Sequence, residues 1–176
     1  LRRTGYECEF LAVRLPYGIQ SDEHDAQLAL STIKPDRTVA INVRPATDAL
    51  WAELTYSGYD PVDPHDRGRA LGNVKARQRM IAQFALAGSL GGLVIGTDHA
   101  AEAVMGFFTK FGDGAADVLP LAGLNKRRVR AIGVHLGAPP EIIGKVPTAD
   151  LDDLMPLRPD EDVYGVTYDE IDDYLE

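Results

Sequence analysis

His99 and Glu102 are a pair of residues whose types and spacing suggest chemistry. They follow an apolar segment ending at Gly96 and lie three residues apart, where a helix is expected to begin. Residues with this spacing share one face of a helix. The pair could bind a metal, and a single carboxylate suits Mg²⁺ that is held mainly through bound phosphates. The alternative is a capped helix with a surface glutamate.

Basic residues crowd the start of another expected helix. The helix is expected to begin at Asn125, and Lys126, Arg127, Arg128 and Arg130 follow it. Cations in a first turn face the positive end of the helix dipole, which is unfavourable. A bound anion would offset that cost, so the segment is either an anion site or a solvated basic face.

Three aromatic residues surround a lysine before a glycine-rich turn. Phe107, Phe108 and Phe111 flank Lys110, and Gly112 follows at once. A core in which one lysine extends its amine to solvent explains this pattern. A flat ring stacked on the aromatic side chains, with its carboxylate on Lys110, explains the pattern equally well.

Other suggestive segments favour structural roles. The glycine-rich residues 88–92 precede an expected strand, so they are neither a dinucleotide fingerprint nor a phosphate loop. The acidic residues between 150 and 162 are expected to form mostly a solvated loop. The single cysteine, Cys8, cannot form an internal disulfide.

Short apolar runs alternate with amphipathic segments. Strands are expected at residues 10–13, 39–43 and 92–96, and helices near 21–33, 46–54, 73–85, 99–107 and from 125 onward. Ser21 and Asn73 are expected to cap helices, and Thr167 and Glu170 to form a capping box before the last one. The glycine- and proline-rich residues 56–72 are expected to be a long loop.

This alternation predicts an α/β fold, a three-layer, doubly wound parallel sheet with helices on both faces. Ligands of such sheets bind at the carboxyl ends of the strands, which places residues 14–20 and 97–102 at the expected site. The net charge of −9 argues against non-specific binding of DNA or of an anionic membrane, since both need a cationic face. The single cysteine and the lack of a signal peptide or apolar span predict a cytoplasmic location.

Several motifs resemble the NAD synthase family and follow one another in that family's order. They comprise residues 12–18, 72–77, 96–103, 106–114, 124–127, 146–151 and 165–175. The similarity covers nearly the whole chain. It implies the adenine nucleotide α-hydrolase-like variety of the Rossmann-like fold.

The resemblance implies an ammonia-dependent NAD synthetase, a C–N bond-forming ligase. Such an enzyme amidates deamido-NAD (nicotinic acid adenine dinucleotide) with ATP and ammonia, through an adenylated intermediate, and releases AMP and pyrophosphate. Mg²⁺ and lysines would hold the phosphates and stabilise developing charge. No amidase domain is visible in the sequence, so free ammonia is the expected nitrogen donor.

Residue roles follow from the resemblance at matching positions. The residues expected to contact ATP are Arg14, Thr97, Lys126 and Thr148, and Glu102 would bind Mg²⁺. Those expected to contact deamido-NAD are Arg77, Lys110 and Asp117. The catalytic residues would be Lys126, Thr148 and Asp117. The resemblance also implies a homodimer, with the apolar helix faces within 74–85 and 100–108 as candidate surfaces.

The resemblance is incomplete at three points. The family's Ser-Gly-Gly-x-Asp-Ser loop has no counterpart before Phe10, its His-Lys pair would lie beyond Glu176, and Gly123 stands where many relatives carry arginine. Residues 1–176 are therefore expected to be one NAD synthetase domain, incomplete at both ends and inactive alone. The alternatives are a non-catalytic nucleotide-binding fragment or relic, and a related ATP pyrophosphatase such as a GMP or asparagine synthetase domain. The motifs at 109–114 and 165–175 weigh against the second of these.

Overall fold

The computed structural model describes residues 5, 7–20, 22–148 and 157–176, which contain two strands and eight helices. The strands are β1 (Leu11–Arg14) and β2 (Arg37–Ala40). The helices are α1 (Glu23–Ile33), α2 (Arg44–Tyr56), α3 (Pro64–Leu90), α4 (Ala100–Met105), α5 (Lys126–Leu136), α6 (Pro140–Ile143), α7 (Asp160–Tyr164) and α8 (Tyr168–Leu175). None of the described helices is both long and apolar enough to cross a membrane.

The expected mixed α/β architecture with parallel strand pairing is confirmed. β1 and β2 pair in parallel, with Val13 opposite Val39, and α1 provides the crossover that parallel pairing requires. The third expected strand is reduced to a single parallel bridge between Ile95 and Val118. Within the described residues the sheet is therefore much smaller than the predicted one.

The second strand ends earlier than the alternation of apolar residues at 39, 41 and 43 predicts. β2 stops at Ala40, and Val43 becomes the residue that precedes α2, with only 3% of its surface exposed. Val43 is apolar because it packs in the core at a helix start, not because it continues the strand. The predicted cap at Ser21 lies outside the described residues.

The expected long loop is wrong for residues 64–72, which form the first two turns and more of α3. The Asp63 side chain accepts hydrogen bonds from the backbone N–H groups of His65 and Asp66, at 2.8 and 3.1 Å. Pro64 occupies the first helical position, where it costs no hydrogen bond. Asn73 is therefore inside a helix, and its amide oxygen accepts a hydrogen bond from Thr109 at 2.7 Å.

The predicted start of a helix at Asn125 and the predicted capping box of α8 are confirmed. The Asn125 side chain accepts from the backbone N–H of Arg128 at 2.9 Å. Thr167 and Glu170 form the reciprocal capping box, because each side chain accepts from the other residue's backbone N–H.

A small buried core joins α4 to α8. It consists of Ala101, Tyr168 and Ile171, with Met105, Tyr164 and Leu175 packed against it.

Candidate active site

The start of α4 joins the two residues that the sequence paired. Nε2 of His99 lies 3.2 Å from Oε1 of Glu102, and the backbone N–H of His99 donates to Oε2 at 3.2 Å. His99 is only 3% exposed, whereas the Glu102 side chain is 25% exposed. Nδ1 of His99 is buried and has no hydrogen-bond partner among the described residues. The two interpretations of this pair, a helix cap and a carboxylate that binds a ligand, are therefore compatible. Glu102 caps the helix and remains accessible to a ligand.

Lys126 of α5 reaches the same imidazole. Its Nζ lies 3.2 Å from Nε2 of His99 and 4.7 Å from the centre of the Tyr168 ring. Burial lowers the pKa of Lys126 below its usual 10.5, although the charges of Glu102 and Asp160 act in the opposite direction. An ammonium and a carboxylate therefore contact the same nitrogen of one buried imidazole.

Negative charge accumulates beside Glu102. Burial raises the pKa of Glu102, but hydrogen bonds and charge from His99 outweigh burial and leave that pKa below its usual value. Burial raises the pKa of Asp98, and the carboxylates of Asp113 and Glu102 raise it further. These carboxylates repel one another, which is the electrostatic setting that a bound cation would relieve.

The N-terminus of α5 already holds an anion, and that anion belongs to the chain. The Asp172 carboxylate accepts from the backbone N–H groups of Lys126 and Arg127, at 3.0 and 2.6 Å, and Asp172 is 1% exposed. Arg127 itself pairs with Asp173 and Glu176. The predicted anion site at these amides is therefore filled internally, whereas the Lys126 side chain turns towards His99.

The expectation of a solvated acidic loop is wrong for Asp160. Asp160 is 6% exposed, and its Oδ2 accepts a hydrogen bond from the Tyr168 hydroxyl at 2.9 Å. The Tyr164 hydroxyl lies 3.3 Å from that of Tyr168. Burial raises the pKa of Asp160, and it raises the pKa of Tyr164 to about 12. The remaining acidic residues of the stretch before residue 157 lie outside the described part of the chain.

A cavity of about 350 Å³ opens beside this cluster. Its lining includes Asp98, His99, Phe108, Lys110, Phe111 and Leu119. Phe108 and Phe111 are 47% and 67% exposed, so they do not form the core that one interpretation of this segment required. The amine of Lys110 lies 5.2 Å from the centre of the Phe111 ring. The cavity thus combines apolar walls with the Lys110 ammonium and the polar groups of Asp98 and His99, and its apolar walls and ammonium suit a flat ring carrying an anionic group.

A tight turn fixes Lys110 at this cavity. The backbone N–H of Thr109 donates to Asp113 at 2.9 Å, and the Arg77 side chain donates to the carbonyl of Lys110 at 3.1 Å. A Cβ at Gly114 would lie 2.7 Å from Oδ2 of Asp98, so a larger residue there would require that carboxylate to move. Arg77 and Lys110, which the sequence assigned to one ligand, are therefore neighbours.

The other expected site residues are less central. Asp117 accepts from the backbone N–H of Val94 at 2.7 Å and so supports the parallel bridge. Thr97 is exposed next to Asp98. Thr148 forms an antiparallel bridge with Pro159, the residue before Asp160. Arg14 lies at the end of β1, where its guanidinium pairs with Glu23 of α1.

Tyr168, Asp160 and Asp172 were not predicted as site residues. Their importance depends on contacts between separate elements, which no local pattern shows. The one available signal was the family motif at residues 165–175, which contains both Tyr168 and Asp172.

Comparison with known proteins gives a consistent result. Residues 5–176 match the sequence model of the family described as NAD synthase. The "NH(3)-dependent NAD(+) synthetase" of Burkholderia ambifaria (strain MC40-6) is 61% identical over all 176 residues, which span 62% of that protein. The protein of the same name from Streptomyces coelicolor is 61% identical over 175 residues, or 99% of this chain and 63% of its own length.

Solved structures are similar over almost the whole chain. The NAD+ synthetase from Burkholderia pseudomallei superposes with a TM-score of 0.81 at 55% identity, over 99% of this chain and 63% of that one. The NMN synthetase from Francisella tularensis superposes with a TM-score of 0.83 at 38% identity, over 99% of this chain and 68% of that one. By sequence motifs, family match and backbone similarity, this chain belongs to the NAD synthase family.

Proposed function

We propose that this chain carries nucleotide- and substrate-binding residues of an enzyme that amidates deamido-NAD to NAD with ATP and ammonia. The main observation in support is that Glu102, His99 and Lys126 lie together beside a cavity that is lined in part by Lys110. The names of relatives 61% identical to the chain support the same activity. Because the chain spans 62% of the Burkholderia ambifaria relative, the proposal concerns a protein of that relative's length.

The first step of the proposed reaction activates a carboxylate. An oxygen of the nicotinate carboxylate attacks the α-phosphorus of ATP, and the bond between that phosphorus and the pyrophosphate oxygen breaks. The ammonium of Lys126 stabilises the charge that develops on the phosphates. The hydroxyls of Thr97 and Thr148 would orient the nucleotide, and Arg14 would lie near the adenine.

The second step forms the amide. The nitrogen of ammonia attacks the acyl carbon of the adenylate, the bond from that carbon to the AMP oxygen breaks, and the nitrogen loses a proton. Adenylation favours this step because AMP is a much better leaving group than an oxide ion. ATP is a co-substrate in this scheme and is consumed to AMP and pyrophosphate.

Glu102 fits a Mg²⁺ ion that is bound mainly by phosphates. Its carboxylate stays ionised, stays partly exposed and lies beside the like charge of Asp98. The described residues contain no group of three side chains that could hold a metal alone. One or two protein carboxylates with phosphate and water ligands are typical for Mg²⁺. When bound there, the ion would neutralise phosphate charge during the first step.

Lys110, Arg77 and Asp117 are the proposed contacts of deamido-NAD. The cavity of about 350 Å³ lies near the lower end of the range for ligand pockets, so it takes the nicotinate ring and not the whole dinucleotide. Phe108 and Phe111 would stack on that ring, and the Lys110 ammonium would pair with its carboxylate.

We also propose a homodimer. Ile81 of α3 and Val104 of α4 are about half exposed, at 51% and 50%, within the two segments expected to supply the interface. Analytical ultracentrifugation at micromolar concentration tests this, and a monomer would contradict it.

A second product is a specific alternative. The Francisella tularensis structure, with the higher TM-score of the two above, is that of an NMN synthetase. The same chemistry on nicotinic acid mononucleotide would yield NMN, and the ring, carboxylate and phosphate of that substrate are shared with deamido-NAD. The two candidates therefore differ only in whether the adenylate half of the dinucleotide is recognised.

A chimera tests the proposed function. The flanking segments of the Burkholderia ambifaria relative are joined to residues 1–176, and this protein is called the chimera below. It is given Mg²⁺, ATP, ammonium and either deamido-NAD or nicotinic acid mononucleotide. We expect NAD and AMP in equal amounts from the first substrate and little turnover of the second. Release of ADP would contradict the adenylation step, and ATP binding without turnover would favour the non-catalytic alternative.

A further inference from the structure

Helix α8 contacts Lys126 at both ends of that residue. Asp172 accepts the backbone N–H of Lys126 at 3.0 Å, and the ring centre of Tyr168 lies 4.7 Å from its amine. Tyr168 and Asp172 are four residues apart, so they lie on one face of α8. One helix therefore contacts both the backbone N–H and the side-chain amine of Lys126.

Tyr168 is held rigidly. Its hydroxyl donates to Asp160 at 2.9 Å, and its backbone N–H donates to Glu161 at 2.8 Å. Its ring meets that of His99 edge-on, with centres 6.0 Å apart, and the residue is 1% exposed. A ring held by these contacts presents one face to Lys126.

A lysine amine needs such support to act at one place. Its four-carbon chain is flexible, so an unsupported ammonium samples many positions. An aromatic face attracts the ammonium without accepting a hydrogen bond from it. The N–H groups that His99 does not engage therefore remain available for the oxygen atoms of a ligand. A carboxylate in direct contact with the amine would compete for them.

We propose that Tyr168 and Asp172 are positioning residues that place the Lys126 ammonium against the phosphates of ATP. Asp172 fixes the backbone from which the side chain extends, and Tyr168 fixes the position of the amine. This inference rests on the proposed function for the identity of the ligand, whereas the placement of Lys126 itself does not depend on activity.

Nuclear magnetic resonance of the 176-residue chain tests the placement. Lysines are labelled with ¹³C at the ε carbon, and the Lys126 signal is assigned by its absence in Lys126→Arg. The ring face of Tyr168 should shift the attached protons upfield. Tyr168→Phe keeps the ring and should keep the shift, whereas Tyr168→Leu should abolish it. An unchanged Lys126 signal in folded Tyr168→Leu would overturn the placement.

A double-mutant cycle in the chimera tests the purpose of that placement. Tyr168→Leu should raise the KM for ATP by roughly tenfold, with the KM for deamido-NAD unchanged. In a Lys126→Met background the same change should have no further effect on the KM for ATP, because its effect acts through the ammonium. Asp172→Asn should act in the same direction as Tyr168→Leu. Asp169→Asn is the control, since Asp169 is 78% exposed on the same helix.

The outcomes separate the two proposals. If Tyr168 had only a structural role, its substitution would lower the melting temperature and the active fraction without changing the KM for ATP alone. That result would overturn the positioning role, and so would equal effects of Tyr168→Leu in the parent and in the Lys126→Met background. A chimera that consumes no ATP would instead contradict the proposed function, and the ring-current shift would still decide the placement of Lys126.

Discussion

Nε2 of His99 lies 3.2 Å from the amine of Lys126 and the same distance from the carboxylate of Glu102. One imidazole nitrogen carries either a proton or a lone pair, so it can donate to Glu102 or accept from Lys126, but not both. The tautomer of His99 therefore decides which neighbour it binds. Residues from two helices that are proposed to act on the same phosphates are coupled through one ring.

Glu102→Gln tests the proposed Mg²⁺ contact. Glutamine keeps the shape of the side chain and its bond to the His99 backbone, but it removes the charge. We expect turnover of the chimera to fall by about 10²-fold or more, since loss of one charge-stabilising group has that effect. The melting temperature should stay near that of the parent.

The control for this substitution is Glu141→Gln on α6, which is exposed. It should leave turnover unchanged. Parent-like turnover of Glu102→Gln at limiting Mg²⁺ would show that Glu102 does not bind the ion.

Lys110→Met tests the carboxylate contact at the cavity. We expect the KM for deamido-NAD to rise by about tenfold, the lower end for a charge-assisted hydrogen bond, because this amine is exposed. The KM for ATP should not change. Lys110→Arg keeps the charge and should recover part of the loss, so equal effects of the two substitutions would argue against a charge contact.

Gly112→Ala tests the packing of the turn that carries Lys110. A Cβ at Gly112 would lie 2.8 Å from Cβ of Thr109 and 3.1 Å from Cβ of Ala76. We expect a loss of about 1–3 kcal/mol in the free energy of unfolding, measured with urea. Gly88→Ala in α3 is the matched comparison, because nothing among the described residues lies within 4 Å of its added methyl group. It should gain about 0.5–1 kcal/mol from helix propensity.

The ion pairs between Lys145, which follows α6, and two carboxylates at the start of α1 predict a dependence of stability on pH. Nζ of Lys145 lies 2.8 Å from Asp25 and 3.4 Å from Asp22. The hydrogen bond from Lys145 lowers the pKa of Asp25 below its usual 3.8. Burial lowers the pKa of Lys145, but its bonds to Asp25 and Asp22 outweigh burial and leave that pKa above 10.5.

The two shifts set the window in which these pairs stabilise the fold. The contribution of Asp25 is complete above pH 3.8 and is lost as the pH falls through the lowered pKa. That of Lys145 is complete below pH 10.5 and is lost as the pH rises through the raised pKa. Lys145→Met should therefore lower the melting temperature at pH 7 but have a much smaller effect below pH 3. An effect of equal size at both pH values would exclude the ion pairs as its cause.

Features determined by neighbouring residues could be predicted from the sequence. The start of α5 at Asn125 and the Thr167–Glu170 capping box were identified because each depends on residues that are close together in the chain. The His99–Glu102 pair was predicted for the same reason. Lys110 was identified as unusual because its aromatic neighbours are consecutive in the chain.

Features determined by distant contacts could not be predicted in this way. Gly68 and Gly72 indicated a loop, but the Asp63 cap and the packing of the buried Gly72 stabilise a helix there. Asp160 looked solvated because its partner Tyr168 belongs to another helix. The contact between Asp172 and the start of α5 joins residues 46 apart, so no local rule reveals it.

The Asp172 bond to α5 also sets an order of events during synthesis. When residues 126–136 have been made, the Asn125 cap can form at once, but the backbone N–H groups of Lys126 and Arg127 must wait for Asp172. At translation rates of about 5–20 residues per second, the 36 residues from 137 to 172 take roughly 2–7 s. During that interval the backbone N–H groups of Lys126 and Arg127 lack their partner from α8, so this end of α5 gains its internal carboxylate only when the chain has been made as far as residue 172.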